Sequence, residues 1–203
     1  MSLARRLALI EWARGCDAVI IEDDYCSEYR YGGPPLPSLQ GLAKGVAVVY
    51  LGTFSKVMFP ALRVGYIVSP PSLIPFFKRA KWLADTQTPM LEQAALADFI
   101  AEGHLERHIR RMRRLYGLRR ATLLNSLKRH FAQSAKVLGD AAGMHAMVRF
   151  DDHEISRRAL RNKVDLISAD SYYITHPPGN EFILGFSSLS ERAIQEGIRR
   201  LAS

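Results

Sequence analysis

Three short apolar runs, each ending abruptly in polar residues, most constrain what this chain can fold into. AVII (18–21) stops at Glu22-Asp23-Asp24, VAVVYLG (46–52) stops at TFSK, and RVGYIVS (63–69) stops at Pro70-Pro71. Continuous runs, unlike alternating ones, suit strands buried on both faces, as in parallel sheets. The segments between them read differently. Leu3, Leu7 and Ile10 fall at helical spacing, with Gly15 at the stop. Residues 30–45 carry Gly32, Gly33, Pro34, Pro35, Pro37, Gly41 and Gly45 and read as a loop. Pro71 opens a helix over 71–84, Pro89 another to 101, and a long basic helix runs over 104–131. Beyond it come strands at 143–150, 164–168 and 181–188, a helix at 154–162, and a final helix capped by Ser190. The order predicts an α/β fold in three parts: a parallel or mixed sheet domain over 1–102, an interdomain helix over 103–133, and a small α+β domain over 134–203. Three strands are few for an open parallel sheet, so the first part is expected to lack strands.

Composition excludes several classes. With 203 residues, 48% hydrophobic and 24% charged, the chain is an ordinary globular one, of one large domain or two small. No apolar run approaches the ~18–20 residues of a membrane span. The start, with Arg5, Arg6 and Glu11 and no small-residue cleavage site, is not a signal peptide. Cys16 and Cys26 make no disulfide framework and read as reduced thiols of a cytoplasmic protein. His104 and His108 are half a metal site with nothing placed to complete it, so no metal is expected.

The net charge of +8 is local. Between 104 and 130, seven arginines from Arg107 to Arg120, with Lys128 and Arg129, face Glu106 alone, and the rest of the chain is neutral. One reading is a solvated helix whose stripe (Leu105, Ile109, Met112, Leu115, Leu118 or Leu123) packs inward. The other is a phosphate-contacting surface that assists DNA binding. The helix has no aromatic interleaving and no recognition motif, so it does not itself read sequence.

In open α/β sheets, ligands gather at the carboxyl ends of the strands. There this chain places Asp23 and Tyr25 after the first run, Thr53, Ser55 and Lys56 after the second, and Arg63 at the start of the third. Asp24 beside them reads as solvated or capping. A carboxylate stabilises a protonated ring nitrogen, and a phenol bonds a phenolate oxygen. A partly buried amine attacks an aldehyde, and a guanidinium with hydroxyls holds a phosphate. Pyridoxal 5′-phosphate presents all four partners.

The segments IIEDDYCSEYRY (20–31), PLPSLQGL (35–42), VYLGTFSKVMFPALRVGYIVSP (49–70) and LEQAALADFIAEGHLERHIRRMRRLYGLRR (91–120) resemble the aminotransferase-like domain of MocR-type regulators. These are GntR-family transcription factors whose effector domain is similar to fold-type-I, pyridoxal-phosphate-dependent aminotransferases of class I/II. The resemblance implies an incomplete fold-type-I domain. Lys56 matches the Schiff-base lysine, Asp23 the partner of the pyridinium nitrogen, Tyr25 the tyrosine at the 3-oxygen, and Thr53, Ser55 and Arg63 the phosphate binders. It also implies a homodimer, an amine or amino-acid effector, and DNA contact through a domain that this chain lacks. Cys26 stands where an acidic residue is expected and reads as a small buried residue. Tyr172 and Tyr173 match a small-domain pair and are expected to pack in the core. The first part of the aminotransferase-like domain is expected to be missing, making the chain a fragment or a late start. Ile183, in FILGFS (182–187), stands where aminotransferases place the arginine for the substrate carboxylate. Three readings follow: an amine- or pyridoxal-phosphate-sensing effector domain, an aminotransferase fragment, and a non-catalytic dimerisation fragment.

Overall fold

A computed structural model describes residues 1–33 and 36–203; Pro34 and Pro35, part of the predicted loop, lie outside the described residues. The chain separates into two compact units. The first holds Met1–Ser27 and the described part of 34–107; the second holds Glu28–Gly33 and His108–Ser203.

The first unit opens with α1 (Leu3–Gly15), whose cap Ser2 accepts a hydrogen bond from the Arg5 amide. It continues through β1 (Ile20–Asp24), the single turn α2 (Leu39–Leu42), β2 (Val48–Thr53), β3 (Gly65–Val68), α3 (Ile74–Asp85) and α4 (Met90–Ala101). The sheet order is β1-β2-β3. β1 and β2 are parallel, with Ile20 opposite Val48 and Asp24 opposite Gly52. β3 runs antiparallel to β2, with Thr53 opposite Gly65. The sheet is therefore mixed, because residues 54–64 are too short for the crossover that a parallel return needs. Ile10 and Ala13 of α1 and Leu39 of α2 pack on Ile20 and Val48. That covers one face only. Ile21 is 70% exposed, and every residue of β3 is exposed, so these runs are not buried on both faces.

In the second unit the long helix α5 (His104–Phe131), whose first four residues group with the first unit, leads to β4 (Ala135–Gly139), β5 (His145–Phe150), α6 (Ile155–Arg161), β6 (Ile167–Ser168), β7 (Glu181–Gly185) and α7 (Glu191–Ala202). The sheet is antiparallel in the order β4-β5-β7-β6. β5 alternates strictly: Ala146, Val148 and Phe150 are buried between half-buried His145, Met147 and Arg149. Their face meets Leu123, Leu127 and Phe131 of α5 and Ile194, Ile198 and Leu201 of α7. Leu118, placed in the inward stripe by spacing, is exposed, and the stripe passes through Leu123 instead. Residues 28–33 belong here too. Tyr29 is fully buried, edge-on to Tyr116 at 5.0 Å, and Tyr31 donates to the Gly143 carbonyl at 2.9 Å.

Among the described residues no helix is long and apolar enough to cross a membrane.

Candidate functional site

Because β1 and β2 are parallel and β3 returns antiparallel, the ends of two strands and the start of the third share one sheet edge. The edge collects all six predicted residues by backbone position. Asp23 is the penultimate residue of β1, and Tyr25 follows the strand. Thr53 ends β2, Ser55 and Lys56 occupy the turn after it, and Arg63 sits two residues before β3. The turn is locally fastened. Thr53 Oγ1 accepts from the Ser55 amide at 3.1 Å, and the Phe54 amide donates to the Val64 carbonyl at 3.1 Å.

Arg63 has φ 52° and ψ 29°, the left-handed region, where it closes the 3-10 turn Pro60–Leu62. Holding a side chain with a Cβ there costs on the order of 1–2 kcal/mol. The strain lies in the backbone, and the side chain that it carries is exposed. The side chains of Asp23, Lys56 and Arg63 have no hydrogen-bond or ion-pair partner among the described residues. One anion and two cations thus share an edge without neutralising each other.

The edge is open. Asp23, Tyr25, Lys56 and Arg63 are exposed, and Thr53 and Ser55 are half-buried. The partly buried amine expected from the sequence is an exposed one here, because the described residues put no cover over the turn. Nor does one cavity hold the set. Asp23 lines a cleft of about 270 Å³ with Arg6 and Leu39. Arg63 lines another of about 720 Å³ with Tyr66, Lys78, Lys81 and Trp82.

Several contributors escaped the sequence reading. Tyr50 donates to Asp24 Oδ2 at 2.9 Å, while Asp24 Oδ1 accepts from the Ser27 amide at 3.1 Å, so Asp24 caps the turn that carries Tyr25. Burial, and then this bond to a carboxylate, push the Tyr50 phenol well above its ordinary range, so it stays protonated. The Tyr66 ring lies over Gly52, where a Cβ would meet it at 2.3 Å, and contacts Phe54 at 5.6 Å between centroids. Glu22, nearly buried, accepts from the Leu39 amide at 2.9 Å, the Gln40 amide at 3.1 Å and Arg6 at 2.9 Å. It ties β1, just before Asp23, to α1 and α2. The signal for Tyr66 was present as a glycine opposite a tyrosine, but only once the register is known.

Other expectations are corrected. Tyr172 and Tyr173 are not core residues: Tyr172 is 75% exposed, and Tyr173 donates to Glu181, a fully buried carboxylate that also takes Arg149. The two hydrogen bonds hold the Glu181 carboxyl below its usual range. Cys26 is half-buried. Ile183 pairs with Met147 and Ile167, so its cross-strand neighbours are apolar.

The groups at the strand edge are of the kinds that pyridoxal phosphate takes: a carboxylate, a phenol, hydroxyls, an amine and a guanidinium. The chain has the fold of the fold-type-I aminotransferases. LysN, the α-aminoadipate aminotransferase of Thermus thermophilus, solved with N-(5′-phosphopyridoxyl)-L-leucine, superposes with a TM-score of 0.89 at 31% identity, over 99% of this chain and 53% of that one. The chain belongs to the aminotransferase class I and II family, whose model matches residues 5–201. Among its relatives is the probable rhizopine catabolism regulatory protein MocR of Rhizobium meliloti, 40% identical over all of this chain and 42% of that protein. Another is the HTH-type pyridoxine biosynthesis transcriptional regulator PdxR of Corynebacterium glutamicum, 32% identical over 94% of this chain and 42% of that protein. The chain thus spans about half the length, or less, of the proteins it matches.

Proposed function

We propose that the chain is part of the effector domain of a cytoplasmic MocR/GntR-type transcriptional regulator, which senses an amine or pyridoxal phosphate itself through Schiff-base exchange at Lys56. The observation that carries this reading is the strand edge where Asp23, Lys56 and Arg63 stand unpaired. Regulators and aminotransferases alike among the relatives support it.

When bound, pyridoxal phosphate would supply an aldehyde that captures amines and a ring that accepts electrons. Asp23 would keep a proton on the pyridine nitrogen. Tyr25 would donate to the 3-oxygen. Arg63, with the hydroxyls of Thr53 and Ser55, would hold the phosphate and so fix the ring's orientation. Lys56 would be the amine that an effector displaces, and once free it would act as a base.

Transamination by a longer form is the second reading, and Ile183 weighs against it. A guanidinium that clamps an α-carboxylate is replaced by an aliphatic side chain with apolar neighbours. The uncovered sheet face, where Ile21 and Ile67 are exposed, supports self-association, as in a homodimer.

Absorbance on adding pyridoxal phosphate tests the reading. A band at about 410–430 nm, the usual range of this cofactor joined to a lysine, is expected and should vanish in Lys56→Ala. Binding should be weak in this chain, since the edge is open. Keto acid released from an amino donor would favour the enzyme reading. A folded chain with no band at any cofactor concentration would leave only a dimerisation role.

A further inference from the structure

Far along the sequence from the strand edge, α5 and α7 of the second unit flank an open cleft of about 750 Å³. α5 turns Thr122, Asn125 and Arg129 toward it, and α7 turns Arg192, Gln195 and Arg199. Each set follows an i, i+3, i+7 spacing, so each is one helical face. His130, Ser126 and Arg200 complete the polar lining, and no apolar side chain takes part. One carboxylate, Glu196, lies in the cleft. Its Oε1 accepts from Arg199 at 2.7 Å and from Arg200 at 2.8 Å, and these two guanidiniums hold its carboxyl down to about 2. Glu191 at the rim accepts from Thr122 at 3.1 Å, and Lys128 adds a further cation on α5. The guanidiniums of Arg129 and Arg192, one from each helix, have no hydrogen-bond or ion-pair partner among the described residues.

We propose that this cleft binds the phosphodiester backbone of a nucleic acid. Guanidiniums, amides and hydroxyls in rows are the donors that phosphate oxygens take, and they carry no base readout. A spacing of seven residues along each helix spans about 10 Å at ~1.5 Å per residue. That is long enough to reach more than one phosphate of a strand, whose phosphates rise ~3.4 Å each along the axis. A lining without apolar side chains offers a membrane nothing to insert. This goes beyond the cofactor reading and extends the expectation that DNA is contacted only through another domain: the cleft would add sequence-independent affinity beside whatever reads the operator.

The test is fluorescence anisotropy of the chain with a labelled duplex of arbitrary sequence, and with the same strand single, across a salt series. Wild type should bind either, with log affinity falling linearly against log salt. Arg129→Ala/Arg192→Ala should weaken binding about tenfold at low salt and reduce the slope by about 2, roughly 0.9 per phosphate contact. Arg111→Ala/Arg114→Ala, an equal charge change on exposed positions of α5 outside the cleft, should leave most of both. Thermal melts should match wild type for all variants. Equal losses in the two pairs, no duplex or single-strand binding at low salt, or binding of phosphatidylserine vesicles or polyglutamate in preference to nucleic acid would each overturn the proposal. None of these readouts depends on the cofactor band at Lys56.

Discussion

Glu22→Ala should destabilise the first unit by about 3 kcal/mol, although the Glu22 carboxylate bonds to none of the six candidate residues. Its two oxygens serve three donors. Oε1 accepts from the Leu39 amide and Arg6, both at 2.9 Å, and Oε2 accepts from the Gln40 amide at 3.1 Å. Leu39 is buried in the small core between α1, α2 and the sheet, so its amide would be left without water. A buried donor stripped of its partner costs about 1–3 kcal/mol, and a bond to a charged group is worth roughly 1.5–3. The Gln40 amide and Arg6 are nearer solvent and recover part of their loss. Both tryptophans of this unit, Trp12 on α1 and Trp82 on α3, are already largely exposed, so unfolding in urea is read by far-UV circular dichroism and not by their fluorescence. With an m-value of about 2 kcal/mol/M, the midpoint should fall by roughly 1.5 M. Glu22→Gln, which keeps one acceptor oxygen, should lose about half as much. A double-mutant cycle with Arg6→Ala should return a coupling of about 1 kcal/mol. A loss below about 0.5 kcal/mol for Glu22→Ala would refute the reasoning, because Glu22 would then be behaving as a surface residue.

Three further outcomes follow from the same geometry. Phe150→Ala removes a fully buried ring that stands edge-on to Phe131 at 5.0 Å, and should cost the second unit about 3–5 kcal/mol by calorimetry. Arg63→Gly relieves the left-handed strain, so stability by thermal melt should hold or rise by up to about 1 kcal/mol while affinity for pyridoxal phosphate is lost. Glu196 has a folded-state pKa depressed to about 2 from 4.5, so its pairing with Arg199 and Arg200 stabilises above pH 4.5 and is lost as pH falls toward 2. Glu196→Gln should flatten that stretch of the acid-denaturation curve, and an unchanged curve would show that the pairing adds nothing.

The helices were legible because local signals place them. Ser2 and Ser190 cap α1 and α7 with the side-chain bonds expected of such residues. α2 was hidden, since it is a single turn that holds Gly41 and follows Pro37, and half of its cap is the Glu22 carboxylate, distant in sequence. β4, Ala135–Gly139, lacks the apolar run that marked the other strands. The direction of β3 follows from connection length and not from its apolar run, and the exposure of β1 and β3 depends on what packs against them, which no local pattern encodes. The same division holds at the site. Which residues reach the edge was readable from strand ends; how open the edge is, and the bonds of Tyr50 to Asp24 and of Glu22 to α2, depend on register and tertiary contact.

The central claim is that Lys56, alone among seven lysines, is the amine that takes pyridoxal phosphate. Borohydride reduction of the chain with limiting cofactor, followed by peptide mapping, tests it without requiring tight binding. A pyridoxyl label concentrated on Lys56 and abolished by excess effector amine is expected. Labelling spread evenly over Lys44, Lys78, Lys81 and the other lysines, with Lys56 no more reactive than they are, would contradict it.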